Sequence, residues 1–313
     1  MNGFQQIDPD LHQAKELEQA GFFDEAAALY RRLIENHPAE NSYLLALAWV
    51  YHDGGHKDEA LACFRKLFER ELRYKVFSGF AFDELVRLYK ENGSLDLLVD
   101  VCERAVHAQP NDLSLLGDLG DAYMRGGRPR DAVGVFEKMA SMDPDAVIVY
   151  CYLGNAYVAM GEIELAQGAY GKAVALEPDK KEVFYTRLAE ACRKAGCAVS
   201  AEKILRDCLR DSENPLLFLD LADIHVELGR VDEGETLLAQ AIRMEPVRAG
   251  TFLNRFGNSL AKAGLHELAI DYFKQAVKTD PRNPFYYTHL AASCTAIGRE
   301  DIVAEVLGEN NLL

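Results

Sequence analysis

Residues 150–170 read YCYLGNAYVAMGEIELAQGAY. Ahead of Gly161, small or apolar residues follow the i, i+3, i+4, i+7 spacing of one helix face, at Tyr150, Leu153, Gly154 and Tyr157. A second helical face begins after the glycine with Ala166 and Tyr170. Because glycine readily adopts the left-handed conformation that caps a helix, this stretch predicts two helices joined by a tight turn at Gly161.

The same helix–glycine–helix pattern recurs along the whole chain. The glycines that mark it stand 33 to 38 residues apart, at Gly21, Gly55, Gly93, Gly127, Gly161, Gly196, Gly229, Gly264 and Gly298. Prolines that end the second helix follow most of them, at Pro38, Pro110, Pro144, Pro178, Pro246 and Pro281. A fixed period of this size is typical of a stacked array of repeats.

Small residues explain how the two helices of one unit can pack closely. The position seven residues before each marker glycine is mostly alanine or glycine, and the position five residues after it is mostly alanine. We therefore expect Gly154 and Ala166 to face each other, and a larger residue at either would overpack the contact at a cost of about 1–3 kcal/mol. Large residues such as Phe136 and Tyr170 are expected to fill the gaps toward the next unit.

The 34-residue period, the Leu-Gly-x-x-Tyr before the glycine, the alanine and aromatic residue after it, and the closing proline resemble the tetratricopeptide repeat. The resemblance implies an all-α fold, an α-solenoid of stacked antiparallel helix pairs that winds into a superhelix. After an N-terminal tail of residues 1–6, we place a single solenoid over residues 7–313. Its nine repeats are 7–40, 41–74, 79–112, 113–146, 147–180, 181–214, 215–248, 250–283 and a truncated 284–313.

The period is interrupted between the second and third repeats. Four extra residues, 75–78, lie there, and Leu72 replaces the closing proline within the aromatic-rich stretch 68–82. One interpretation is a lengthened second helix with local repacking, since four residues make about one helical turn. The other is a hinge or partner contact that divides the solenoid into subdomains at 75–78.

Composition and motifs favour a non-enzymatic protein. Fifty acidic residues against 34 basic ones give a net charge of −16, which argues against nucleic acid as the main partner. No stretch approaches the ~18–20 apolar residues of a membrane-inserted helix, and the start does not resemble a secretory signal. The sequence lacks a phosphate loop and the common hydrolase motifs, so we predict neither a cofactor nor a metal site. Seven scattered cysteines suit a reducing compartment, and we predict a cytoplasmic location.

The resemblance also implies a binding surface, because stacked helix pairs curve and the family's first helices build most of the concave face. We call the outward-facing residues of these first helices the first-helix stripe. The candidate partner-binding residues on it are Trp49, Arg87, Asp121, Cys151, Tyr152, Asn155, Arg187, Glu190, Asp223, Asn254, Asn258 and Lys262. Trp49, the only tryptophan, has two interpretations: a binding hot spot, or a ring packed between helices of the second and third repeats.

These features predict a non-catalytic protein–protein interaction scaffold that binds a protein or peptide segment on its concave face. Two alternatives remain: an accessory subunit that presents substrates to a separate enzyme, and a self-assembling structural scaffold. Repeats 2, 6 and 8 are net positive whereas the others are net negative, so the predicted ligand is mixed-charge or basic. The family's carboxylate clamp for a peptide C-terminus is incomplete, because Cys151 and His289 stand where the pattern needs lysine and asparagine.

The C-terminal end is a candidate self-association surface. After Gly298 only residues 299–313 remain, without the solvating helix that usually closes such arrays. We expect Val303, Val306 and Leu307 to face solvent or a partner, which would allow a homo-oligomer through this end. The alternative is a frayed end shielded by Leu312 and Leu313.

Overall fold

The computed structural model describes residues 9–74, 79–210 and 212–309. Contacts divide the chain into two units, Met1–Met142 and Asp143–Leu313. This division falls at a place where the sequence predicts no break, and the single solenoid over 7–313 stays a prediction. The predicted tail 1–6 and the predicted break at 75–78 lie outside the described residues.

The described part of the first unit consists of four pairs of consecutive helices that pack against each other. They are α1 (Pro9–Gln19) with α2 (Phe23–Asn36), α3 (Asn41–Asp53) with α4 (Lys57–Tyr74), α5 (Phe80–Asn92) with α6 (Leu95–Ala108), and α7 (Leu113–Arg125) with α8 (Pro129–Met142). At 18 residues, α4 is about one turn longer than α2, α6 and α8, which have 14 each. This agrees with the interpretation of a lengthened second helix in the second repeat.

The described part of the second unit contains five further pairs. They are α9 (Val147–Ala159) with α10 (Ile163–Leu176), α11 (Lys181–Lys194) with α12 (Ala198–Leu209), α13 (Pro215–Glu227) with α14 (Val231–Met244), α15 (Ala249–Lys262) with α16 (His266–Thr279), and α17 (Pro284–Ala296) with α18 (Asp301–Glu309). Short 3₁₀ turns at Pro178–Lys180 and Pro246–Arg248 precede α11 and α15. Each pair matches one predicted repeat, and no strand occurs among the described residues, so the all-α solenoid of helix pairs is confirmed.

The marker glycines end the first helix of each pair. Gly161 has φ 79°, a left-handed conformation that side chains rarely adopt. The N–H of Glu162 donates to the carbonyl of Tyr157 at 2.9 Å, which closes the end of α9 as in a Schellman motif. The next first helix is started by a polar cap in several repeats: the Asn214 side chain accepts from the N–H of Leu216 at 3.0 Å. The predicted turn chemistry therefore sets the helix boundaries.

Inside the fourth, fifth and eighth pairs, a glycine of the first helix faces an aromatic ring of the second. Gly154 lies against the ring of Tyr170, and a Cβ atom placed on Gly154 would also lie 3.5 Å from the carbonyl oxygen of Ala166. A Cβ atom on Gly257 would lie only 2.6 Å from Phe273. The expected contact of small residues is thus present. The aromatic rings, however, cover the glycines of their own pairs, whereas the sequence predicted that they fill the gaps toward the next unit.

The C-terminal helix corrects one prediction. Val306 is only 4% exposed, and it packs with Ile302 in the core of the second unit. Val303 and Leu307 are half-buried. Because α18 supplies the second helix of the ninth pair, its residues at i and i+4 face the core, so Val306 does not face solvent. Self-association through this end stays a prediction.

Candidate binding surface

The first helices of the second unit contact one another in a row: α9 with α11, α11 with α13, α13 with α15, and α15 with α17. Polar side chains connect neighbouring helices of this row. Arg193 of α11 pairs with Glu227 of α13 at 3.4 Å, and His289 of α17 lies 2.9 Å from the Oδ1 atom of Asn254 on α15. In the second unit, the first-helix stripe therefore forms one continuous surface across neighbouring helices.

The junction between α13 and α15 is a partly buried cluster of charges. The guanidinium of Arg255 donates to Asp223 at 2.6 Å and also to Asp220, while the hydroxyl of Ser259 donates to Asp223. Burial raises the pKa of Asp220. Burial alone would lower the pKa of the Arg255 guanidinium, but the two carboxylates of Asp223 and Asp220 together leave that pKa raised. Asp223 thus joins two helices and is buried at 8% exposure instead of lying on the exposed stripe.

A groove of about 490 Å³ opens between α9 and α11, and we call it the α9–α11 groove. It brings together five residues that the sequence predicted, and is lined by Ile148, Cys151, Tyr152, Asn155, Tyr170, Arg187, Glu190, Ala191 and Lys194. Cys151 is buried, which raises the pKa of its thiol. The Tyr170 hydroxyl donates to Oδ1 of Asn155 at 2.9 Å. Glu190 pairs with Arg193 at 3.2 Å and with Lys194 at 3.4 Å.

A second groove, of about 500 Å³, lies across α11, α13 and α15, and we call it the α11–α15 groove. Two predicted residues, Asp223 and Lys262, line it together with Arg193 and Glu227. Burial raises the pKa of Glu227, whereas the nearby charges of Arg193 and Lys262 oppose that rise. This groove therefore presents both signs of charge.

The other predicted residues of the second unit are used between helices. Asn254 and Asn258 of α15 both lie beside the Nδ1 atom of His289, at 2.9 and 3.4 Å. His289 thus occupies the position where the clamp pattern needs asparagine and contacts the two asparagines of the preceding repeat.

In the first unit, the predicted residues make contacts of the same kind. Arg87 donates to Glu84 at 2.7 Å and to Glu91 at 2.8 Å, and it lies 3.3 Å from His52 of α3. Lys90 of α5 pairs with Asp121 of α7 at 2.9 Å. None of these residues is part of the lining of the α9–α11 groove or the α11–α15 groove.

Trp49 packs within its own helix pair. Its ring meets Phe64 of α4 edge to face at a centroid distance of 5.6 Å, and it meets His52 at 5.5 Å. The ring is half-buried. The packing interpretation is therefore closer to the structure, and the ring contacts of Trp49 are with Phe64 and His52 of the same pair.

Sequence reasoning missed Ile148 and Ala191, which line the α9–α11 groove. Ile148 lies one helical turn before Tyr152, so the i, i+4 spacing of the stripe could have found it. It also missed a cavity of about 750 Å³ between the second helices α4 and α6, lined in part by Leu72 and Arg104. Glu71 and Leu72 of the longer α4 line this cavity. The interruption of the repeat period predicted the extra turn of α4, but not the cavity beside it.

Pairs of antiparallel helices joined by glycine turns and stacked in series define an α-solenoid of the repeat-protein class. A family model for the tetratricopeptide repeat matches residues 11–70, 118–157 and 219–284, and a second model of the same description matches 148–180. Together they cover more than half of the chain, and the chain belongs to the tetratricopeptide repeat family.

Solved structures of similar proteins are distant in sequence. A tetratricopeptide repeat protein from Parabacteroides merdae is 14% identical, with a TM-score of 0.48 over 81% of this chain and 98% of that chain. The MamA protein is 20% identical, with a TM-score of 0.33 over 67% and 96% of the two chains. The human IFIT1 dimer with PPP-AAAA is 19% identical, with a TM-score of 0.35 over 99% and 73%.

No curated protein sequence matches the chain. Within residues 9–74, 79–210 and 212–309, no helix has the length and apolar character needed to cross a membrane.

Proposed function

We propose that the chain is a non-catalytic scaffold that binds an extended segment of a partner protein along α9, α11, α13 and α15. Tetratricopeptide repeats generally mediate protein–protein interaction. The observation that carries the proposal is that two grooves open side by side on these first helices. Helix α11 contributes to both grooves, with Arg187 and Glu190 in the first and Arg193 in the second.

The spacing of the helices suits an extended chain. Packed helices lie ~8–10 Å apart, and an extended peptide advances ~3.3–3.6 Å per residue. A segment that crosses the row would therefore pass one helix about every three residues, and a segment of about nine residues would reach from α9 to α15. A short linear segment is thus a better fit to this surface than a folded domain.

The grooves are held in shape before any ligand binds. The Arg255–Asp223 pair fixes α13 against α15, and the Arg193–Glu227 pair fixes α11 against α13. A preformed site loses less conformational freedom on binding than one that must be ordered. Because the α11–α15 groove carries both Asp223 and Lys262, it supports the prediction of a mixed-charge ligand.

A random peptide library tests this proposal without knowledge of the natural partner. We would select 12-residue, C-terminally amidated peptides on the immobilised full chain and measure their affinities by fluorescence anisotropy. The variant Ala191→Arg fills the α9–α11 groove, because Ala191 is a half-buried lining residue. We expect the selected peptides to bind this variant roughly tenfold or more weakly, since a bulky charged side chain would occupy their site.

The matched control is Ala175→Arg, which adds the same side chain at an exposed position of the second helix α10. Peptides should bind this variant as they bind the original chain, and circular dichroism should show both variants folded. Selected peptides that bind Ala191→Arg with unchanged affinity, or that lose affinity for Ala175→Arg instead, would contradict binding along the first helices.

A further inference from the structure

The α9–α11 groove contains an arginine whose charge is not balanced by a neighbouring acid. Among the described residues, no carboxylate lies within ion-pair distance of the exposed Arg187. The thiol of Cys151 shares the groove with Arg187, and burial raises the pKa of that thiol, which keeps it uncharged at neutral pH. The positive charge of Arg187 is therefore left for a ligand.

Other arginines of the same surface are neutralised. Arg193 pairs with Glu190 at 3.2 Å and Glu227 at 3.4 Å, and Arg255 pairs with two aspartates. Glu190 lies one turn along α11 from Arg187, yet its carboxylate is taken by Arg193 and Lys194. Arg187 thus differs from Arg193 and Arg255 because the nearby carboxylates pair with other basic residues.

The polar groups around Arg187 are suited to donate hydrogen bonds. Oδ1 of Asn155 already accepts from the Tyr170 hydroxyl at 2.9 Å, so this amide offers its N–H groups to the groove. A guanidinium and an amide N–H group both match the acceptor oxygens of a carboxylate, which a guanidinium can bind in a two-pronged manner. The polar side of the groove therefore fits an anionic side chain.

The rest of the groove is apolar. Ile148 is 49% exposed and Tyr152 is 39% exposed, and the small side chain of Ala191 lies between the polar residues of α11. Exposed apolar side chains next to a few polar groups are typical of ligand sites. A ligand residue with a large aliphatic or aromatic side chain would cover Ile148 and Tyr152 while its neighbour reaches Arg187.

We propose that the α9–α11 groove selects an aspartate or glutamate side chain that stands next to a large apolar residue in the bound segment. This inference rests on the proposed function and specifies its ligand. It also makes the predicted ligand more specific, because the part of the segment that lies in this groove is acidic. The protein binds this acidic part even though its own net charge is −16.

The peptides selected on the full chain test this inference directly, because their amidated ends leave side chains as the only source of carboxylates. We expect the selected sequences to share an acidic residue beside a large apolar one. Arg187→Gln should weaken their binding roughly tenfold or more, as expected for losing a charge-assisted hydrogen-bonded pair. Arg187→Glu combined with a lysine at the acidic peptide position should restore much of the lost affinity.

The control is Arg243→Gln, which removes one positive charge from an exposed position on the second helix α14. Unchanged binding to this variant would separate the contact at Arg187 from the effect of net charge. If Ala191→Arg abolishes binding while Arg187→Gln does not, or if the peptides share no acidic residue, the scaffold proposal stands and the acidic-ligand inference is overturned. If Ala191→Arg has no effect either, both proposals fail.

Discussion

Close approach of two helices is decided by single glycines that lie under aromatic rings. Gly154 has no room for a Cβ atom, because the ring of Tyr170 occupies that space. The ring cannot move away easily, since Tyr170 is 1% exposed and its hydroxyl is bonded to Asn155. The same contact therefore connects the core of the fifth repeat to a residue that lines the α9–α11 groove.

We expect Gly154→Ala to destabilise the protein by about 1–3 kcal/mol, because the added methyl group overpacks the contact with Tyr170. Gly168→Ala is the matched control: Gly168 lies in the neighbouring helix α10 with nothing within 4 Å of its Cβ position. Alanine there should be neutral or stabilising by up to about 1 kcal/mol, because glycine is a poor helix former. Urea denaturation of both variants measures the difference, and equal stabilities would refute the packing argument.

The limits of sequence reasoning are clearest at Cys151 and Asp223. Helical spacing placed both on the first-helix stripe, and the structure places both on first helices. Both are nevertheless buried, Cys151 beside Arg187 and Asp223 beside Arg255. The spacing gives the angle of a residue around its own helix, but it does not tell how closely the next first helix approaches.

At the scale of helices, Glu182 of α11 anchors the loop that begins α13. Its carboxylate accepts from the Asn214 amide at 2.8 Å and from the Ser212 hydroxyl. The Asn214 side chain in turn caps α13. These hydrogen bonds lower the pKa of Glu182, and the bond from Ser212 has the larger effect. A first helix thus fixes the start of the next first helix in the row.

We expect Glu182→Ala to lower the free energy of unfolding at pH 7 by about 1 kcal/mol, because two hydrogen bonds to a partly exposed carboxylate are lost. A carboxyl whose pKa is lowered by folding stabilises the protein above its ordinary pKa, and this contribution disappears as the pH falls through the lowered value. The gap between the two proteins should therefore close as the pH falls below the ordinary glutamate value of 4.5.

Urea denaturation between pH 7 and pH 3 measures this effect. The control Glu213→Ala removes an exposed carboxylate from the same loop and should change stability little at any pH. A gap for Glu182→Ala that stays constant, or grows, toward acid pH would show that its carboxylate does not carry the anchoring interaction.

At the scale of the whole molecule, the sequence predicted the repeats far better than the surface. The nine repeats could be predicted because each glycine turn enforces its own boundary, as at Gly161 and Gly298. The excess of positive charge in repeat 6 was also visible in the sequence. The sequence does not show which basic residue of this repeat has no acidic partner. That depends on ion pairs between repeats, such as Arg193 with Glu227, and these form only when neighbouring helix pairs pack together.

The most direct test of the account is hydrogen–deuterium exchange of the full chain with and without a selected peptide. A ligand that binds the folded state slows exchange in the elements it contacts. Binding along the first helices predicts slower exchange in α9, α11, α13 and α15, with the second helices α12 and α14 unchanged. Protection confined to those second helices, or to residues 9–142, would contradict binding along the first helices of the second unit.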